Sequence, residues 1–348
     1  MKALLSCCAA IGSIAASATL LTFSAPVQAQ TYTNPVLDEN VPDPATLRVN
    51  GTLYVYATGA KTSSSNPAKY IQMTKSTDLI NWTPTTTVLL LPSWATGDTW
   101  APDVIKDPSV ANRYVMYFSA KGNQAHANVP DNADKCIGVA VSSSPDGPFT
   151  AQPAPLLCGS GGREIDPMAF YDNNESKWFL FWGSSSTVPM SRRELSANLL
   201  TFATGSTVAN VISAIPGNPY SSLVEAAWLL DRGAYRYLFM SGKHCCMGDD
   251  DYAVTVARKS LSNLSGPWVR YAGGQNGAIL RRNETWQAPG HNAVFIDGAG
   301  HHWMVYHARR PNAPNKRVLM MDRITWQDDW PRIANDSPST GAVAAPVP

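Results

Sequence analysis

A polar residue at the head of an apolar, strand-like run recurs five times along this chain, at intervals of roughly 60 residues. The heads read Pro42-Asp43-Pro44-Ala45-Thr46, Ala101-Pro102-Asp103-Val104-Ile105, Ile165-Asp166-Pro167-Met168-Ala169, Val224-Glu225-Ala226-Ala227-Trp228 and Gly290-His291-Asn292-Ala293-Val294. Four carry an acid and the fifth a histidine. A repeat of this length is one supersecondary unit that buries its apolar face only against the next copy. The chain must therefore fold as an array of similar units.

The runs behind each head share one grammar. Thr46-Leu47-Arg48-Val49 is followed by Asn50-Gly51 and Tyr54-Val55-Tyr56-Ala57, and Asn-Gly between alternating runs signals a hairpin. Later units repeat it with Tyr114-Val115-Met116-Tyr117-Phe118, Trp178-Phe179-Leu180-Phe181-Trp182, Tyr235-Arg236-Tyr237-Leu238-Phe239-Met240 and Trp303-Met304-Val305-Tyr306-His307. Runs are short, helical periodicity is nearly absent, and the turns carry Asn, Asp and Gly. The chain reads as all-β, a five-bladed β-propeller of three or four antiparallel strands per blade. A two-domain β-sandwich would leave the repeat unexplained. In a propeller the innermost strand of each blade starts near the axis, so five polar heads meet at one mouth.

The ends read differently. Residues 1–29 resemble a secretory signal, with Lys2, an apolar run from about Leu4 to Phe23, and Val27-Gln28-Ala29 as a small-residue cleavage site. The expected propeller spans 30–335, with 336–348, rich in Ser, Pro, Ala and Val, as a flexible tail. The protein is expected to be secreted, extracellular or periplasmic, and no other stretch is apolar enough to cross a bilayer. Four cysteines follow the signal, and Cys136–Cys158 is the natural bridge in an oxidising compartment, closing a loop worth about 3 kcal/mol in the chain-entropy model. Adjacent Cys245 and Cys246 form either a vicinal disulfide or two free thiols.

A net charge of +1, with 15% charged residues, leaves no electrostatic footprint for nucleic acid or an anionic membrane. The 11 Trp and 13 Tyr offer apolar faces with polar edges, which suit sugars as well as β-sheet packing.

Acids gathered at one mouth raise one another's pKa and resist full ionisation. Glycoside hydrolysis uses that tension: one protonated acid donates to the leaving oxygen while an ionised carboxylate activates water. With room for a water between base and sugar, the anomeric configuration inverts. From Asn34-Pro35 to Trp330-Pro331 the chain resembles glycoside hydrolase family 43, propeller enzymes acting on arabinose- and xylose-containing polysaccharides. The matching stretches are Asp43-Pro44-Ala45, Trp100-Ala101-Pro102-Asp103, Ile165-Asp166-Pro167, Val224-Glu225-Ala226 and Gly290-His291-Asn292. One departure is Ala226-Ala227, where proline or glycine-proline is more usual.

The resemblance implies Asp43 as general base, Glu225 as general acid, and Asp166 as the residue that orients Glu225 and raises its pKa. Trp100, Ala101, Asp103 and His291 are the candidate substrate-binding residues, with Asp103 shaping the site or capping a turn. Relatives in the arabinan-degrading branch hold a metal, often Ca2+, near the histidine equivalent to His291, mostly through waters; none is needed for proton transfer. Cys245-Cys246-Met247-Gly248 and Tyr252-Ala253-Val254-Thr255 look like segments of that branch. The expected substrate is therefore arabinan or an arabinoxylan-type saccharide, and the expected enzyme an exo-acting α-L-arabinofuranosidase. The segments Gly122 to Lys135 and Ser206 to Ser222 are candidate walls of the groove. An endo-1,5-α-L-arabinanase, a β-xylosidase and a catalytically silent sugar-binding propeller are the rivals.

Overall fold

The computed structural model describes residues 30–60, 70–243, 245–246 and 251–348. The expected signal, 1–29, lies outside them. Asn50 and Gly51 both take left-handed conformations, φ 49° and 82°, as a two-residue hairpin of the primed type needs. They join Ala45–Val49 to Thr52–Ala57, and Gln72–Ser76 and Thr86–Thr87 complete the first blade.

Four more sheets follow in chain order, antiparallel except where Leu89–Leu90 pairs in parallel with Phe149–Ala151. The second blade runs Ala95–Lys106, Tyr114–Gly122, Lys135–Ser142 and Phe149–Ala151, widened by Leu89–Leu90 and Leu157–Gly159. The third contains Met168–Asp172, Lys177–Trp182, Ser191–Glu194 and Ala209–Asn210. Glu225–Arg232, Tyr235–Gly242, Ala253–Ser260 and Val269–Arg270 make the fourth, to which Ala278–Leu280 is added. Gln287–Ile296, His302–Arg310, Ala313–Gln327 and Trp330–Arg332 make the fifth. The molecule is a five-bladed β-propeller, and the sole helical element among the described residues is a 3-10 turn at Ala334–Asp336. No helix among them is long and apolar enough to cross a membrane.

The apolar core is divided into seams between blades, which explains why the second strands are apolar on both faces. Alternate side chains of one strand point to opposite neighbours. Tyr114, Met116 and Phe118 pack with Tyr54, Tyr56 and Met73 of the first blade. Val115 and Tyr117 face Leu180 and Trp182 of the third. The seam between the fifth and first blades is built the same way, from Val305, Leu319 and Met321 against Leu53, Val55 and Ala57.

That last seam is laced by the chain's beginning. Val36 N–H donates to Leu319 O (2.9 Å) and Val41 N–H to Arg317 O (2.7 Å), and the Tyr32 hydroxyl donates to Met321 O (2.7 Å). The expectation of a flexible tail is corrected here. Val343–Ala344 pairs with Thr31–Tyr32, Ala345 N–H donates to Gln30 O (2.8 Å), and Gly298 N–H donates to Val347 O (2.7 Å). Backbone pairing orders this segment, and side-chain periodicity carries no trace of it. Cys136 and Cys158 are bridged across neighbouring strands, and Cys245 and Cys246 form a vicinal disulfide.

Candidate active site

Each blade head contains one non-glycine residue in the left-handed region: Asp43 (φ 54°), Ala101 (φ 43°), Asp166 (φ 58°), Ala226 (φ 56°) and His291 (φ 48°). In the second, fourth and fifth blades the strand register shifts at this point. Such a kink re-aims side chains and leaves a backbone N–H outside the ladder. Conformations of this kind persist only where the surroundings over-determine them.

Here the preceding blade supplies the restraint. Asp43 N–H donates to His307 Nδ1 (3.1 Å), Ala101 N–H to Thr58 Oγ1 (2.9 Å), Asp166 N–H to Ser119 Oγ (3.1 Å) and His291 N–H to Ser241 Oγ (2.8 Å). At the fourth head the parts are exchanged. Ala226 N–H donates to Asp166 Oδ2 (3.1 Å), while the Ser184 hydroxyl donates to Glu225 Oε2 (2.6 Å). Proline at position 226 would have neither this N–H nor this φ. The departure Ala226-Ala227 thus keeps a donor on Asp166.

Asp43, Asp166, Glu225 and His291 are brought together. Asp43 Oδ1 accepts from Arg317 Nη1 (2.6 Å) and Oδ2 from Thr58 Oγ1 (2.6 Å). Burial opposes its charge, but the Arg317 guanidinium and the Thr58 hydroxyl prevail and hold Asp43 well below the usual carboxylate range. His291 Nδ1 stands 3.5 Å from Asp43 Oδ1 and 3.8 Å from Asp166 Oδ2, so the imidazole spans the two acids. Its burial lowers the His291 pKa to about 4, leaving it neutral at neutral pH.

The other two acids are driven the opposite way. Burial first, then the charges of Glu225 and Asp43, raise Asp166 well above its ordinary value. Burial also raises Glu225, against the pull of hydrogen bonds from Ser184 and from the Tyr252 hydroxyl on Oε1 (2.7 Å). The mouth therefore holds one carboxyl pushed towards its charged form beside two pushed towards their protonated forms.

Other candidates from the sequence are placed differently. Asp103 is buried, and its Oδ2 accepts from Ala169 N–H (2.7 Å), fastening the second blade to the third. Burial raises its pKa to about 7. The bond from Ala169 makes Asp103 a clasp between the second and third blades. Ala101 is buried, and its N–H is held by Thr58. Trp100 is half-buried, with the Lys135 ammonium 3.1 Å from its ring centroid, so one indole face is covered. Of the expected groove walls, Ser206 to Ser222 includes Ala209–Asn210, the outer strand of the third blade. Gly122 to Lys135 is the connection beside Trp100.

The metal expected at His291 meets a poor donor set. Ca2+ takes roughly six to eight oxygen ligands. Among the described residues no group of three or more His, Cys, Asp or Glu is arranged to hold an ion. His291 Nδ1 faces Asp43, whose oxygens are already bound by Arg317 and Thr58. These side chains do not make a protein-built Ca2+ cage, and no step below passes through one.

Sequence reasoning gave no site role to Arg317, Thr58, Ser184, Tyr252 or His307. A signal was available for part of this set. Thr58, Ser119, Ser184, Ser241 and His307 each lie at or just past the end of the apolar run in a second strand, in step with the heads. Arg317 and Tyr252 have no such period.

The profile of Glycosyl hydrolases family 43 matches residues 32–331. The chain is 23% identical over 325 residues to an extracellular exo-α-(1→5)-L-arabinofuranosidase of Cellvibrio japonicus, covering 84% of this chain and 86% of that one. It is 23% identical over 391 residues to an extracellular endo-α-(1→5)-L-arabinanase of Bacillus subtilis, covering 90% and 74%. A thermostable family-43 glycoside hydrolase superposes with a TM-score of 0.73 at 24% identity, covering 91% of this chain and all of that one.

Proposed function

The chain belongs to glycosyl hydrolase family 43 and is a glycoside hydrolase, and on that premise we propose that it cleaves α-L-arabinofuranosidic linkages with inversion, releasing arabinose from chain ends. One observation carries this reading: acids in one mouth are pushed in opposite directions, Asp43 towards its charged form by Arg317 and Thr58, and Glu225 towards its proton by burial. Glu225 gives its proton to the glycosidic oxygen as the bond to the anomeric carbon breaks. Asp43 takes a proton from the water that attacks the opposite face of that carbon. Asp166 keeps its neighbour's acidity low and anchors Ala226, the residue after Glu225. His291, neutral between Asp43 and Asp166, is a hydrogen-bonding group for sugar or water.

The arabinan preference rests on the two relatives named above, which differ in exo and endo action. A signal-like residue 1–29 segment and the extracellular description of both relatives support secretion. The test is a time course on debranched linear arabinan, beside aryl α-L-arabinofuranoside and β-D-xyloside. Arabinose alone from the first points is the expected result. A ladder of oligosaccharides would replace exo with endo action, and a preference for the xyloside would overturn the arabinose assignment. Asp43→Asn is expected to lower kcat roughly 10²- to 10⁴-fold with the fold intact; retained turnover would sink the base assignment.

A further inference from the structure

Both oxygens of Glu225 meet a hydroxyl, yet a carboxylic acid carries one transferable proton. The two hydroxyls differ. Ser184 is half-buried on the connection after Lys177–Trp182, and a serine hydroxyl turns freely to donate or accept. Tyr252 is 1% exposed, and the hydrogen bond its hydroxyl makes among the described residues goes to Glu225 Oε1. Two neighbours fix its ring. It stacks on His307 with centroids 5.7 Å apart and planes 5° from parallel. Gly290 leaves it room: a Cβ there would lie 2.3 Å from the ring. His307 in turn holds Asp43 N–H.

We propose that Tyr252 is the positioning residue of the general acid: its phenol donates to Oε1 and so confines the transferable proton to Oε2, beside Ser184. The inference rests on the acid role proposed for Glu225. A buried phenol that turned its hydrogen away from Oε1 would leave that hydrogen unpaired, which is costly in a dry site. Oε2 is left to carry the proton, and Ser184 turns to accommodate it. When the glycosidic oxygen takes the proton together with the electron pair of the breaking bond, Glu225 becomes a carboxylate. Both hydroxyls then donate to it, and Tyr252 does so without moving. Among the described residues, the charged and titratable groups facing Glu225, besides Tyr252, are Asp43 from the first blade, Asp166 from the third and Arg317 from the fifth.

The test compares two leaving groups in the full-length protein. An arabino-oligosaccharide leaves as an alcohol and needs the acid; 4-nitrophenyl α-L-arabinofuranoside leaves as a stable phenolate and needs it little. Tyr252→Phe keeps the ring on Gly290 and His307. It is expected to lower kcat on the oligosaccharide roughly 10- to 100-fold, and on the nitrophenyl substrate less than about threefold, with KM little changed. The alkaline limb of kcat/KM moves up, because the ionised form of Glu225 has lost a donor. Ser184→Ala is expected to show a smaller loss. Equal losses on both substrates would reduce Tyr252 to a packing residue. Leaving-group selectivity in Ser184→Ala but not in Tyr252→Phe would put the proton on the other oxygen; both results overturn the proposal. Glu225→Gln separates the two levels: if it retains oligosaccharide activity, the acid assignment itself fails, whereas a normal Tyr252→Phe beside a dead Glu225→Gln sinks only the Tyr252 role.

Discussion

Asp43 and Glu225 differ by one methylene in composition and by their neighbours in function. Asp43 sits against a guanidinium and a hydroxyl, while Glu225 has two hydroxyls and, among the described residues, no bonded cation. The consequence is testable in the pH profile. Arg317 favours the charged form of Asp43, so Arg317→Ala raises the pKa of the base. The acidic limb of kcat/KM is expected to move up by about 1–3 pH units, the usual effect of one adjacent opposite charge. Arg317→Lys should recover part of that shift, and an unmoved limb would mean that Arg317 does not set the base. The three acids were legible because each heads a repeat. Arg317 was not, since it lies 274 positions from Asp43, and an arginine in a strand otherwise reads as a solvated face. Asp103 also heads a repeat, but the second blade bends at Ala101, two residues earlier than the acid, and its carboxyl binds the third blade.

Among the elements, the second strands bind the architecture together. Their two apolar faces serve two different seams, and their ends cap the next head. The Asn-Gly turn and the apolar runs made the hairpins readable; the left-handed kinks were hidden, because Ala101 and Ala226 carry no residue signature for that conformation. A polar fastening also crosses one seam. Arg236, on the second strand of the fourth blade, makes a forked pair with Asp172 of the third, with Nη2 3.0 Å from Oδ1. Its Nε also donates to Asp231 Oδ1 (2.8 Å). Both Arg236 and Asp172 are buried. Arg236→Ala strands a buried carboxylate and is expected to cost about 3–5 kcal/mol, read as a lower urea midpoint. A midpoint within error of wild type would show that water replaces the guanidinium.

At the scale of the molecule, four of the five interfaces between blades are spanned by the continuous chain, and the fifth is closed without a covalent link. Its latch is the first dozen described residues, laid along the fifth blade and tied to the last six. This was the least legible part of the sequence, because its order comes from backbone bonds made by short, low-periodicity segments. Each such bond contributes about 0.5–1.5 kcal/mol net. Removing residues 343–348 is therefore expected to lower the Tm by several degrees, measured by calorimetry; an unchanged Tm would deny the tail any share in the latch. Asp43 stands on one side of this joint, and Arg317, His307 and His291 stand on the other. The base exists as a base only while the circle is shut. Turnover is thus a gauge of the latch: on warming, catalysis should fade when the two ends part, while four-fifths of the ring is still standing.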